Sequence, residues 1–128
     1  MPLKPNQLDI KSEQVAQVAL KTFFNIMFEW NVTEAHQIAF LGSPRPEIFK
    51  DWQRNESSSL STETLERISC FIIMYKNLGL LFPKREQANE WVHKPNRAFG
   101  GASALSFLSS GCLGQLHKVC IYLNSQLN

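Results

Sequence analysis

The amino-acid sequence predicts an all-α fold. In several long segments the apolar residues recur three or four positions apart, which is the period of one helix face. Residues that cap helices precede these segments, and glycine or proline follows them. We find no segment that alternates between apolar and polar residues as a half-buried β-strand would.

The composition is that of a folded protein with a single modest core. The chain has 128 residues, of which 44% are hydrophobic and 19% are charged, far from the polar composition of disordered chains. Its net charge of +2 is too small to indicate binding to nucleic acid or to an acidic membrane by itself. No apolar run approaches the roughly 20 residues that cross a bilayer. We therefore expect a cytoplasmic protein.

The first predicted helix follows a flexible lead-in of residues 1–11. Ser12 is the predicted N-cap, and the apolar face consists of Val15, Val18, Ala19, Thr22, Phe23, Ile26, Met27 and Trp30. Phe24 and Phe28 lie off this face. An aromatic stripe of this kind is more often part of a core than a surface for a partner.

Two short helices are predicted next. Thr33 caps the segment 34–41, which ends at Gly42, and Ser43 caps a second segment that contains Pro44 and Pro46 in its first turn and continues to about residue 53. Two short helices joined by a glycine turn form the helix-turn-helix pattern.

The second of these helices carries residue types that suit phosphates and base edges. The candidate DNA-binding residues are Ser43, Arg45, Lys50, Gln53 and Arg54. Glu47 and Asp51 on the same segment would repel phosphates. The residue types alone therefore do not decide whether this helix contacts DNA.

The remaining elements are also predicted to be helical. Ser61 caps a long central helix, which Gly79 and Pro83 end, and whose wide apolar face consists of Leu65, Ile68, Phe71, Ile72, Met74, Tyr75 and Leu78. Next come a short helix over 84–92, a loop over 95–102, and a helix that Ser103 caps and Gly111 ends. The last helix, from about Gly114, buries Leu116, Val119, Leu123 and Leu127. The helix-turn-helix domain is assigned to residues 12–82 and a C-terminal domain to 83–128.

The sequence offers little that would support catalysis. It contains no phosphate-binding loop and no dinucleotide-binding fingerprint. Cys70, Cys112 and Cys120 lack the spacing of metal ligands and are expected to be reduced core thiols. His117 lies three residues before Cys120, but no third group is visible that would orient its imidazole. We therefore predict no enzyme, no metal and no cofactor, and keep a small cysteine enzyme as an alternative.

The segment 91–103 is the least core-like part of the chain that is still rich in large residues. Aromatic and arginine side chains dominate protein interfaces, and the two glycines Gly100 and Gly101 allow a close approach of backbone. A helix connector in which Trp91 and Phe99 plug the core is an equally good interpretation of the residues alone.

This segment resembles the C-terminal toxin-binding domain of the Xre/MbcA/ParS antitoxin family. The resemblance consists of Trp91, the run from Pro95 and Asn96 through Arg97, Ala98 and Phe99 to Gly100 and Gly101, and a short helix that ends at Gly111. The central-helix motif Leu65, Glu66, Arg67 and Ile68, with its exit at Leu81, Phe82 and Pro83, is also similar. With Leu41, Gly42, Ser43 and Trp52 in the helix-turn-helix, the resemblance covers roughly residues 15–127.

The resemblance implies a type II antitoxin that forms a homodimer and neutralises a RES-domain, NAD-degrading toxin by covering its active-site entrance. It also implies that the helix-turn-helix represses the operon of the chain itself by binding operator DNA. The implied toxin-binding residues are Trp91, Asn96, Arg97, Phe99, Gly100, Gly101 and Ser103. The alternatives are a DNA-binding transcriptional regulator without a toxin partner and an adaptor that has lost both activities.

Overall fold

A computed structural model describes residues 5–56 and 59–128, with side chains from residue 13 onward. The predicted all-α fold is confirmed, since the only β pairing in this part of the chain is an isolated bridge between Pro95 and Ser103. The elements in chain order are α1 Pro5–Glu29, α2 Glu34–Phe40, α3 Pro46–Gln53, α4 Thr62–Leu81, α5 Arg85–Trp91, a 3-10 turn Arg97–Phe99, α6 Ala104–Leu108 and α7 Leu113–Gln126.

Helix α4 is the centre of the fold. Helices α1, α5 and α7 pack directly on it, while α3 packs on α1 and α6 packs on α7. Phe71 of α4 is fully buried and contacts Phe40 and Phe23, with ring centroids 4.8 Å and 5.6 Å away. Trp30 completes this aromatic core at 6.4 Å from Phe71. The wide apolar face predicted for the central helix reflects this packing on several sides.

Helix α1 begins earlier than the sequence analysis predicts. It starts at Pro5, so Ser12 lies within the helix and does not cap it, and residues 5–11 of the predicted lead-in are helical. A proline in the first turn is compatible with a helix because the missing N–H has no partner within the helix there. Residues 1–4 lie outside the described part of the chain.

The buried face of α1 is also rotated from the predicted one. Val15 and Val18 are 52% and 66% exposed, which corrects their assignment to the core. The buried line instead passes through Ala16 and Leu20, together with Phe23, Ile26, Met27 and Trp30. In the first two turns the apolar pattern is compatible with either face, because valine and alanine lie side by side there. Packing on α4 decides which of the two faces is buried.

The turn between α2 and α3 differs from the predicted one. Thr33 caps α2 as expected, since its side-chain oxygen accepts a hydrogen bond of 3.3 Å from the backbone N–H of His36. Ser43 does not cap α3. Its φ is +58° and its N–H donates to the carbonyl oxygen of Ile38 at 2.9 Å, so it closes the end of α2. Arg45 is the N-cap because the residue before a proline, here Pro46, is driven to extended angles.

Helix α4 begins where the sequence predicts and ends between Gly79 and Pro83, the two residues predicted to end it. The Ser61 side chain accepts a 3.1 Å hydrogen bond from the Thr64 N–H, which confirms the cap. The helix passes through Gly79, which was predicted to end it, and stops at Leu81. Phe82 then takes extended angles before Pro83. Gly79 has a packing role instead, because a Cβ there would collide with the guanidinium of Arg85.

The C-terminal helices largely follow the prediction. The Ser103 side chain caps α6 by accepting a 3.1 Å hydrogen bond from the Ser106 N–H. Leu116, Val119 and Leu123 of α7 are buried, whereas Leu127 is 36% exposed at the end of the helix. Of the helices within the described residues, none is long and apolar enough to cross a membrane.

Candidate functional site

The residues predicted at a binding surface come together in one closed loop between α5 and α6. The N–H of Asn96 donates to the carbonyl oxygen of Ala102, and the N–H of Gly101 donates back to that of Asn96, both at 3.0 Å. The Asn96 side chain accepts a 2.9 Å hydrogen bond from the N–H of Ala98 and so starts the 3-10 turn. The backbone of the loop is therefore fixed by its own hydrogen bonds.

The double glycine is required by the shape of this loop. Gly100 and Gly101 have φ values of +69° and +88°, in the left-handed region that favours glycine. A Cβ built at either position would meet nothing within 4 Å. The backbone at the two glycines therefore faces open space, and a partner can approach it closely.

An aromatic cluster supports the loop from below. Phe99 is 6% exposed and stacks on Phe107, with ring centroids 4.9 Å apart. Trp91 stacks on Tyr122 at 6.3 Å and meets the Phe99 ring edge-on at 6.0 Å. Phe99 therefore acts as a plug in the core, and partly buried Trp91 shares that role, so both hold the loop in place from behind.

The outward surface of the loop consists of the remaining candidates. Arg97 is exposed, as are Gly100 and Gly101, and Ala98 lies exposed between them. Asn96 and Ser103 are half-buried and engaged in the hydrogen bonds of the loop and of the α6 cap. Arg97 is thus the one charged side chain among the predicted toxin-binding residues, and it is free to make a bidentate contact with a carboxylate.

Sequence reasoning missed two of the rings under the loop. Tyr122 contacts both Trp91 and Phe99, and Phe107 stacks on Phe99. Tyr122 lies three residues after Val119 and next to Leu123, on the side of α7 that is buried. Its spacing from the apolar residues of α7 was the available signal, but nothing in the sequence indicates that α7 passes beneath the loop.

A buried arginine connects this C-terminal part to the end of α2. Arg67 of α4 is 8% exposed. Its Nη1 donates hydrogen bonds to the carbonyl oxygen of Gly111 at 2.6 Å and of Phe40 at 3.4 Å. Its Nη2 lies 3.8 Å from the exposed carboxylate of Glu63. The sequence singled out Arg67 only as a member of the central-helix motif and gave it no role.

The candidate DNA-binding residues lie on one exposed segment. Lys50 and Gln53 are exposed on α3, and Ser43, Arg45 and Arg54 are exposed beside it. Arg54 lies 3.7 Å from Asp51, and Glu47 is exposed in the first turn of the helix. Basic and acidic side chains are therefore mixed on this surface, as the sequence indicates.

The geometry around Cys120 does not favour the cysteine-enzyme alternative. Glu66 supplies a partner for the imidazole that the sequence did not reveal, since its Oε1 lies 3.0 Å from the Nε2 of His117. However, the hydrogen bond with Cys70 and burial raise the pKa of the Cys120 thiol, whereas a nucleophile needs a lowered pKa. Within the described ranges, no group of three or more His, Cys, Asp or Glu residues is arranged to hold a metal ion.

Comparison with known proteins identifies the domain that contains the loop. Residues 77–126 match the family described as the antitoxin Xre/MbcA/ParS C-terminal toxin-binding domain. The uncharacterized protein y4oB of Sinorhizobium fredii is 36% identical over 107 residues, which are 84% of this chain and 82% of that protein. The chain thus carries an Xre/MbcA/ParS-type toxin-binding domain, and as a whole it belongs to the same protein family as y4oB. No solved structure matches it.

The matched toxin-binding domain begins within α4 and ends at the last residue of α7. The loop with its double glycine lies in the middle of the matched residues, above the aromatic cluster. Membership in the family supports an antitoxin role and a toxin protein as the partner. The family thereby favours binding over catalysis as the task of the chain.

Proposed function

We propose that the chain is the antitoxin of a type II toxin-antitoxin system and that it neutralises a RES-domain, NAD-degrading toxin by covering the entrance of its active site. The observation that carries this proposal is the exposed, internally hydrogen-bonded loop at the centre of the toxin-binding domain. The chemistry belongs to the toxin, and the antitoxin acts in the cytoplasm as a binding protein without a cofactor.

The loop is suited to tight binding because it is already ordered. Its backbone hydrogen bonds and the buried Phe99 fix its conformation before a partner arrives, so little conformational entropy is lost on association. Arg97 offers a planar group with several donors to an acidic residue near the toxin entrance. Gly100 and Gly101 present backbone without side chains, which allows a close fit against the toxin surface.

The test is coexpression of the chain with the RES-domain toxin encoded beside it, followed by copurification and measurement of cellular NAD. We expect the wild-type chain to copurify with the toxin and to stop the loss of NAD. Arg97→Glu reverses the charge at the centre of the proposed interface and should abolish both effects.

Arg45→Glu is the matched control, because Arg45 is also exposed but lies at the start of α3, in the other part of the chain. It should protect NAD as well as the wild type. If the wild-type chain neither binds nor protects, or if the two variants lose protection equally, neutralisation through this loop is wrong.

A second candidate function is repression of the operon of the chain itself. Helices α2 and α3, taken as a helix-turn-helix, present Arg45, Lys50, Gln53 and Arg54 to solvent, and such side chains bind phosphates and base edges. In this proposal Arg45→Glu weakens operator binding and its dependence on salt, while Arg97→Glu leaves both unchanged. A DNA-binding regulator without a toxin partner would bind the operator but would neither copurify with a toxin nor protect NAD.

The repressor would act as a homodimer, since a two-fold operator is read by two copies. An exposed apolar groove on α1 and α4, lined by Val15, Val18, Ala19, Thr22 and Ile72, offers a surface for the second copy. Val18→Glu should shift the chain to monomers in sedimentation equilibrium. Ile121→Glu, at an equally exposed residue of α7, is the control and should leave the dimer intact; a wild-type monomer at all concentrations would end this proposal.

A further inference from the structure

Two cysteine side chains meet where α7 packs on α4. The Sγ of Cys120 on α7 donates a hydrogen bond of 3.4 Å to the backbone carbonyl oxygen of Cys70 on α4. Cys70 is 5% exposed, whereas Cys120 is partly exposed. The pair is therefore open to solvent only on the Cys120 side.

The environment of the pair divides the two thiols into a nucleophile and a hydrogen-bond donor. The neighbouring Cys120 thiol lowers the pKa of Cys70 to about 7, with a further lowering by the nearby charge of His117. The Cys70 thiol and burial raise the pKa of Cys120. The lowered pKa of Cys70 favours its thiolate, which is the form that reacts with peroxides.

We propose that Cys70 and Cys120 form a reversible disulfide when the protein meets hydrogen peroxide, and that this bond ties α7 to α4. In the first step the Cys70 sulfur attacks one peroxide oxygen, the O–O bond breaks, and a sulfenic acid and one water form. In the second step the Cys120 sulfur attacks the sulfenic sulfur, and a second water leaves. The two thiols lose two electrons and two hydrogens in total, and the peroxide is reduced to two waters.

The position of the bond links it to the rest of the toxin-binding domain. Cys120 lies two residues before Tyr122, whose ring contacts Trp91 and Phe99 under the loop. A covalent tie at Cys120 also closes a long segment of chain, from α4 through α7, into a ring. Such a ring restricts the unfolded chain more than the native one, and the oxidised protein should therefore resist unfolding better than the reduced protein.

Cys112 provides a control within the same chain. It is exposed at the start of α7, so the prediction of a core thiol is wrong for this cysteine. Backbone N–H groups of Gln115 and Gly114 lower its pKa, which favours the thiolate. Without a neighbouring thiol it can only join another molecule or be oxidised further. Cys112→Ser therefore isolates the buried pair, and oxidation of this variant reports on Cys70 and Cys120 alone.

The experiment treats purified Cys112→Ser with hydrogen peroxide and follows free thiols, intact mass and thermal unfolding. We expect both thiols to disappear, the mass to fall by two hydrogens, the chain to stay single on a non-reducing gel, and the melting temperature to rise. Dithiothreitol should reverse all four changes. None of these readouts requires a toxin or DNA, so they are independent of the proposed function.

Two further variants close the test. Each of these variants contains a single cysteine: one combines Cys112→Ser with Cys120→Ala, and the other combines Cys112→Ser with Cys70→Ala. Neither should show a rise in melting temperature after treatment with peroxide. If either variant fails to fold, peptide mapping of oxidised Cys112→Ser decides by the presence of a peptide that joins the two cysteines. The proposal is overturned if Cys112→Ser keeps both thiols, gains oxygen without losing hydrogens, or forms only disulfide-linked dimers.

Discussion

The guanidinium of Arg67 donates a 2.6 Å hydrogen bond to the carbonyl oxygen of Gly111 and a longer one, of 3.4 Å, to that of Phe40. One side chain on α4 thereby holds the end of α2 and the turn between α6 and α7 together. Gly111 itself lies against α2, because a Cβ at this glycine would stand 2.5 Å from the carbonyl oxygen of Ala39. The end of α2 and the turn between α6 and α7 thus meet through polar backbone groups.

Replacement of Arg67 by alanine should strongly destabilise the protein. The substitution leaves the carbonyl oxygens of Gly111 and Phe40 without their donor and creates a cavity under the α2 turn. Because buried groups that lose their partner are costly, we expect the free energy of unfolding to fall by about 3 kcal/mol. Urea denaturation followed by circular dichroism measures this change.

Arg54→Ala is the matched control for Arg67→Ala. Arg54 forms an ion pair with Asp51, but both side chains are more than half exposed, and such pairs contribute at most about 1 kcal/mol. A loss at Arg67 no larger than that at Arg54 would show that the buried hydrogen bonds contribute little.

Replacement of Gly111 by alanine should be more damaging than the same change at Gly101. Both glycines have left-handed φ values, +73° and +88°, which cost an L-residue about 1–2 kcal/mol. Only Gly111 adds a clash, with the carbonyl oxygen of Ala39, whereas the space beside Gly101 is open. We expect the melting temperature to drop at least twice as far for Gly111→Ala, and equal drops would contradict the tight contact with α2.

The sequence predicted the helices well because their local signals agree with their packing. Thr33, Ser61 and Ser103 cap helices as expected, and Leu116, Val119 and Leu123 are buried as their spacing requires. The errors occur where two local signals compete. At Ser43 the capping preference lost to the restriction that Pro46 imposes on Arg45, and Gly79 marks contact with Arg85 rather than a helix end.

The candidate site was predicted in part, because its residues lie close together in the chain. The closed loop around Gly100 and Gly101 follows from residues within one short segment. The support from Tyr122 and the role of Arg67 depend on contacts between residues that are far apart in the sequence. The spacing of apolar residues along the sequence does not indicate such contacts. The predicted domain boundary after residue 82 remains a prediction, while the matched toxin-binding domain begins at residue 77.

Gly79 and Arg85 should show a measurable energetic coupling. The Arg85 guanidinium carbon lies 3.9 Å from the centre of the Tyr75 ring, and its Nη1 donates a 3.3 Å hydrogen bond to the Tyr75 carbonyl oxygen. Gly79→Ala gains about 1 kcal/mol in helix propensity but displaces this guanidinium, whose contact with the ring contributes about 0.5–1 kcal/mol. In the wild-type background the two effects should nearly cancel.

The same substitution should become stabilising once the arginine is gone. In an Arg85→Ala background, Gly79→Ala no longer collides with a side chain, so its helix propensity acts alone and should raise the free energy of unfolding by about 1 kcal/mol. A double-mutant cycle from urea denaturation measures the coupling. Equal effects of Gly79→Ala in both backgrounds would show that Arg85 does not occupy the space beside the glycine.

The last prediction separates the support of the loop from its binding surface. Phe99→Ala removes a buried ring from contact with Phe107, Tyr122 and Trp91, and should lower the free energy of unfolding by about 3–5 kcal/mol. Arg97→Ala removes an exposed side chain and should change stability by less than about 0.5 kcal/mol. Thermal unfolding of the two purified variants measures the difference. A large loss of stability in Arg97→Ala would show that this residue supports the fold, and its effect on toxin binding would then say nothing about a direct contact.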